Sequence, residues 1–168
     1  NAANAAAGRL GGLFELDQEA ALDPALAEAQ LAGQEFIFDV QGHFVGQHGI
    51  GAVGLGSADD FVKDVFLDSD TDMCVLSFIP SRREREYLTI AEADGARQMV
   101  ERLAGSQRLL LHGRVNPNQP GDLEDMDELA QRWGVAAWKT YTQWGPDGQG
   151  YFMHEEAGLR LIERARAL

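Results

Sequence analysis

The sequence predicts an α/β protein with a parallel sheet, and three observations predict it. Four apolar stretches of strand length alternate with stretches of helical periodicity. The apolar stretches are nearly continuous, as strands covered on both faces must be. Each leads into a loop rich in Gly, Pro, Asn or Asp, and the loop leads into a helix. The chain therefore holds about four βα units. The pattern alone leaves open whether the sheet is doubly wound or curled toward a barrel.

The elements follow in order. Residues 1–34 form an Ala/Gly-rich arm with one short helix, with Asp23 as N-cap and Pro24 at the first helical position. The first strand covers Glu35–Val40, and a long glycine-rich loop follows it. Ser57 caps a helix to about Leu67, with Asp59 and Asp60 in the first turn, where the helix dipole favours acid. The second strand covers Met73–Ile79 and stops at Pro80. Thr89 caps a helix to about Ala104, with Glu92 at the capping-box position and Gly105 after the end. The third strand covers Arg108–Val115 and closes at Asn116-Pro117. A helix from about Leu123 to Trp133 ends at Gly134, and the fourth strand covers Val135–Tyr141. A loop from Gln143 to His154 leads to a last helix that starts at Glu155.

Composition narrows the function. The 168 residues carry 14 Lys plus Arg against 27 Asp plus Glu, a net charge of −13. Nucleic acid and anionic membrane surfaces both need a basic face. The one basic cluster, Arg82, Arg83 and Arg85, is interrupted by Glu84 and Glu86. No apolar run approaches the roughly 20 residues that span a bilayer. Cys74 is the single cysteine and sits in an apolar run, so it reads as a buried small hydrophobe. Both ends read as cut: the chain starts at Asn1 without Met and stops in a helical turn at Leu168.

Dinucleotide binding is disfavoured. Gly49, Gly51 and Gly54 spell Gly-x-Gly-x-x-Gly, but about nine residues beyond the strand and not at a helix start. A barrel reading instead draws attention to the C-terminal strand ends. Period two puts Asp39, Gln41 and His43 on one face of the first strand, His112 and Arg114 together on the third, and Lys139 and Tyr141 together on the fourth. The second strand ends with Ser77, Pro80 and Ser81. His43 is the best metal-ligand candidate, because a neutral strand-end imidazole suits a divalent ion. Gln41 offers only an amide oxygen. His112 suits ligation or proton transfer, Arg114 a planar carboxylate, and Lys139 an anion. His48 and His154 read as solvent-facing, Trp133 as helix core, and Asp122, Glu124, Asp125, Asp127 and Glu128 as a solvated acidic face.

Four stretches carry a resemblance to a known family. They are Phe36-Ile37-Phe38-Asp39-Val40-Gln41-Gly42-His43-Phe44, the run Phe66–Asp72 ahead of Val75-Leu76-Ser77, Leu111–Asn118, and Ala137–Pro146. Together they resemble the amidohydrolase superfamily, in the branch related to aminocarboxymuconate-semialdehyde decarboxylase. The resemblance runs through residues 35–168. It implies a (β/α)8 TIM barrel around one divalent metal, usually zinc, with this chain supplying the N-terminal half. The family's first-strand His-x-His falls on Gln41 and His43, so glutamine replaces the first histidine. The remaining ligands come from the fifth, sixth and eighth strands, beyond the four counted here. Relatives often begin with a twin-arginine signal and Ala-rich sequence, which implies a periplasmic protein; a cytoplasmic one is the alternative.

The expected function is metal-dependent hydrolysis or decarboxylation of a small carboxylate-bearing substrate. His43 and Gln41 are the metal candidates, and His112, Arg114, Lys139 and Tyr141 the catalytic candidates. The alternative is a degenerate, non-catalytic barrel fragment used for binding or assembly. Four parallel strands leave two open edges, so a homo-oligomer or a second barrel half is the expected partner.

Overall fold

A computed structural model describes Asp23, Ala25, Leu26, residues 36–46 and residues 56–168. The chain divides into two compact units, residues 1–36 and 37–168. In the first, Ala25 and Leu26 are helical, and Asp23 Oδ1 accepts from their N–H groups at 2.9 and 3.4 Å, the expected N-cap geometry. His48 and the glycines from Gly49 to Gly54 lie outside the described residues.

The second unit is a four-stranded parallel sheet in the order β1-β2-β3-β4, with helices between the strands. The elements are β1 (Phe38–Gly42), α1 (Ala58–Val62), β2 (Met73–Leu76), α2 (Ile90–Ala104), β3 (Leu109–Arg114), α3 (Met126–Gln131), β4 (Ala137–Lys139) and α4 (Glu156–Ala167). The chain continues from α1 through one wide π-helical turn, Lys63–Leu67.

Helix starts follow from local chemistry. Ser57 Oγ accepts from the Asp60 N–H at 3.2 Å, and Asp60 Oδ2 accepts from the Ser57 N–H at 2.8 Å. Thr89 and Glu92 make the same reciprocal box at 3.2 and 2.9 Å. Each box satisfies two N–H groups that the first helical turn leaves without partners.

Strand ends depart from the sequence pattern for tertiary reasons. β1 lies further along the chain than Glu35–Val40, because Ile37 O accepts from the N–H groups of Asp72 and Met73 and the ladder starts there. The β1–β2 register shifts between Asp39 and Gly42, which brings Gly42 level with Leu76. A Cβ on Gly42 would lie 2.6 Å from Cys74 Sγ and 2.9 Å from Phe61 Cε2, so this seam closes only over glycine. β2 stops at Leu76, although the Ser77 N–H still donates to Gly42 O at 2.8 Å. α3 is shorter than Leu123–Trp133, because residues 120–125 are held in turns around Asp122.

The helices pack on one face of the sheet. Cys74, Leu76, Phe78, Leu109 and Leu111 meet Phe61, Val62 and Phe66 from the first helical segment and Ala93, Ala96 and Val100 from α2. A smaller cluster joins Val115, Met126 and Leu161, with Trp138 against it. Alternation then sends Val75, Ser77, Leu110, His112 and Arg114 to the opposite face. Register pairs His112 with Ala137 and Arg114 with Lys139, so Lys139 shares that face. Lys139 Nζ, on the last strand, donates to Gln41 Oε1, on the first, at 2.7 Å. The bond crosses the sheet from edge to edge, and the sheet is curled around it as a half-barrel. The observed architecture is therefore α/β with a curled parallel sheet, whose concave face turns polar toward the C-terminal strand ends.

Candidate functional site

The concave face is built at the C-terminal ends of the strands. β1 delivers Gln41 and, one residue past its end, His43. Ser77 follows β2 and is tied through its backbone to Gly42, the neighbour of His43. Val75 pairs with Leu110 and Leu76 with Leu111, so the same register sets Ser77 beside His112. His43, Ser77 and His112 thus form a row across three adjacent strands, and Lys139 reaches over it from β4.

Electrostatics agrees with this placement. Burial, and then the Lys139 ammonium, hold the His43 imidazole below its ordinary pKa; Asp39 opposes them. Burial, Lys139 and His43 together hold His112 low. Both rings are neutral at pH 7, so each offers one acceptor nitrogen and one donor nitrogen. Two buried side-chain polar atoms among the described residues have no hydrogen-bond partner, and both belong to the row: Ser77 Oγ and His112 Nδ1. Ser77 is 1% exposed.

The remaining sequence candidates separate. Gln41 Oε1 is occupied by Lys139, so as placed it orients the ammonium. Lys139 also sits over the Tyr141 ring, 4.8 Å from its centroid, a cation–π contact. The Tyr141 hydroxyl donates to Phe78 O at 3.1 Å, and burial raises its pKa, so the phenol braces β4 against the end of β2. Arg114 starts from the concave face, but its guanidinium turns into the loops. It donates to Glu86 Oε1 at 2.6 Å and to Ser81 O at 3.0 Å, and lies 3.6 Å from Asp122 Oδ2. The structure brings together His43, His112 and Lys139, with Gln41 beneath Lys139 and Arg114 apart.

Asp122 corrects the reading of a solvated acidic face. It is 3% exposed and accepts from the Asn116 N–H at 2.9 Å, from Gln119 Nε2 at 3.0 Å and from Arg83 Nη1 at 3.1 Å. Arg83 also pairs with Asp125. Gly121, at φ +89°, lets this loop turn, and a Cβ there would lie 2.8 Å from Arg83 Nη1. A cavity of about 250 Å³ lies beside this network, with Glu86, Arg114, Asp122, Leu129 and Trp133 among its walls. Its four carboxylates, Glu86, Asp122, Asp125 and Glu128, all have arginine partners, Arg83 serving both Asp122 and Asp125. Trp133 lines this cavity and is half-buried, where helix core was expected. His154 is exposed and stacks on Phe152. Cys74 is fully buried, and burial pushes its thiol up to about 12, which leaves it inert at neutral pH.

For a divalent metal, His43 fits: it is neutral, open and at a strand end. Among the described residues, no group of three or more His, Cys, Asp or Glu side chains is gathered for a metal. His43 alone among the described residues therefore offers no complete ligand set for a metal.

Ser77 is the one member of the row that the sequence marks only as a strand-end polar group. The signal was present: period two sets it opposite Cys74, Leu76 and Phe78, which are core. Comparison of the chain with protein-family models, with characterised proteins and with solved structures finds no match.

Proposed function

We propose that the concave face is the active site of a metal-dependent hydrolase or decarboxylase acting on a small carboxylate-bearing substrate. The observation that carries this reading is the row of His43, Ser77 and His112 under Lys139, in which two buried polar atoms have no partner. Buried polar groups without a protein partner are rare in native proteins, and each calls for a water, an ion or a ligand. Lys139 supplies the positive charge for an anionic substrate; its ammonium has three donors, and Gln41 takes one. His112, neutral at pH 7, accepts or returns a proton at the reacting group. His43 is the metal ligand that this chain supplies. A bound divalent metal contributes Lewis acidity, which lowers the pKa of water or polarises a substrate oxygen.

Metal analysis of the full-length protein tests the reading. The expected result is one equivalent of zinc, manganese or iron, lost in His43→Ala together with turnover of small carboxylates. A protein without stoichiometric metal, unchanged by His43→Ala, overturns it. One observation favours a second reading, a binding module without catalysis. The oxygen of Gln41, where the family resemblance sets the first metal ligand, faces an ammonium. The same metal analysis separates the two, since the binding module retains an anion and no metal.

A further inference from the structure

We infer that Ser77 Oγ and His112 Nδ1 form the seat of the substrate carboxylate, one carboxylate oxygen on each. This rests on the proposed role of the concave face and names the groups that would carry it. The argument begins with cost. A buried hydroxyl or ring nitrogen without a partner forfeits its hydration and gains no hydrogen bond in return. Here two such atoms face the same side of the sheet on neighbouring strands. They do not bond to each other, and one group lying between them satisfies both. The Ser77 main chain is fixed by its N–H bond to Gly42 O at 2.8 Å, and the residue is 1% exposed, so its hydroxyl does not reach bulk water.

Chemistry then selects the bridge. A serine hydroxyl and the N–H tautomer of a neutral imidazole are both donors, and a carboxylate offers two acceptor oxygens in one plane. The nearby cation is Lys139, whose field reaches His112. Arg114, the other cation that the sequence offers on this face, is engaged by Glu86, Ser81 O and Asp122. The seat is thus two neutral donors beside one ammonium, which suits the two coplanar oxygens of a carboxylate better than a tetrahedral phosphate.

Malonate is the probe, followed through the His112 ring resonances in the NMR spectrum of the full chain. Wild type shows a saturable shift. Ser77→Ala weakens malonate binding about tenfold, the value of one hydrogen bond to a charged acceptor. Ser77→Cys, which keeps the shape and weakens the donor, loses affinity in the same direction. If both variants bind malonate as tightly as wild type, the seat is misassigned while the carboxylate reading stands. If malonate leaves the wild-type spectrum unchanged, the carboxylate reading itself fails. Tighter binding of inorganic phosphate than of malonate overturns the choice of a carboxylate.

Discussion

Two groups of polar side chains, both assembled at the ends of β2 and β3, are buried in opposite ways. Around Asp122 every acceptor is used: Asn116, Gln119, Arg83 and Arg114 surround one carboxylate that is 3% exposed. Along the concave row, Ser77 is as deeply buried, yet its hydroxyl has no partner. The first group holds loops in place, since each charge is neutralised within the fold. The second keeps hydrogen-bonding capacity in reserve. Burial of a polar group therefore does not by itself indicate a site; burial without a protein partner leaves bonding capacity for one.

The largest test of this contrast is Asp122→Ala. It leaves the Asn116 N–H and Gln119 Nε2 without their buried acceptor, and stability falls by about 2–3 kcal/mol. Urea unfolding reads the change, and a midpoint within error of wild type would remove Asp122 from its bracing role. Ser77→Ala has the opposite sign. Deleting a buried hydroxyl that has no partner raises stability by about 1 kcal/mol while ligand affinity drops. A destabilised Ser77→Ala protein would mean that the hydroxyl is already satisfied in solution and would blur the contrast. The smallest effect belongs to Glu128→Ala. Its ion pair with Arg132 is open to solvent on both sides and spans one helical turn. The expected loss is about 0.3 kcal/mol, and a loss above 1 kcal/mol would show that the cavity wall depends on this pair.

What the sequence made legible follows the same division between local and distant causes. The Ser57 and Thr89 capping boxes each lie within four residues, so the starts of α1 and α2 are readable directly. The alternation of strands and helices is equally local, and it conveys the α/β class. Strand lengths were less readable, because β1 is set by what Asp72 and Met73 reach across to Ile37. The burial of Asp122 escaped for the same reason: Arg83 is 39 residues away, and a run of acids looks solvated until its partners are known. Gln41 and Lys139 were each legible as strand-end polar groups, but their pairing depends on the curl of the whole sheet.

That pairing has a consequence for how the chain folds. Gln41 and Lys139 are 98 residues apart, and nothing joins them until β1, β2, β3 and β4 have docked in sequence. Contacts of such long range are among the last to form, because the entropy of closing so large a loop must be met first. The ammonium thus reaches its place over the two histidines only in a chain that has completed its sheet. A ligand seated there binds finished molecules and not partly folded ones, and by mass action it draws the population toward them.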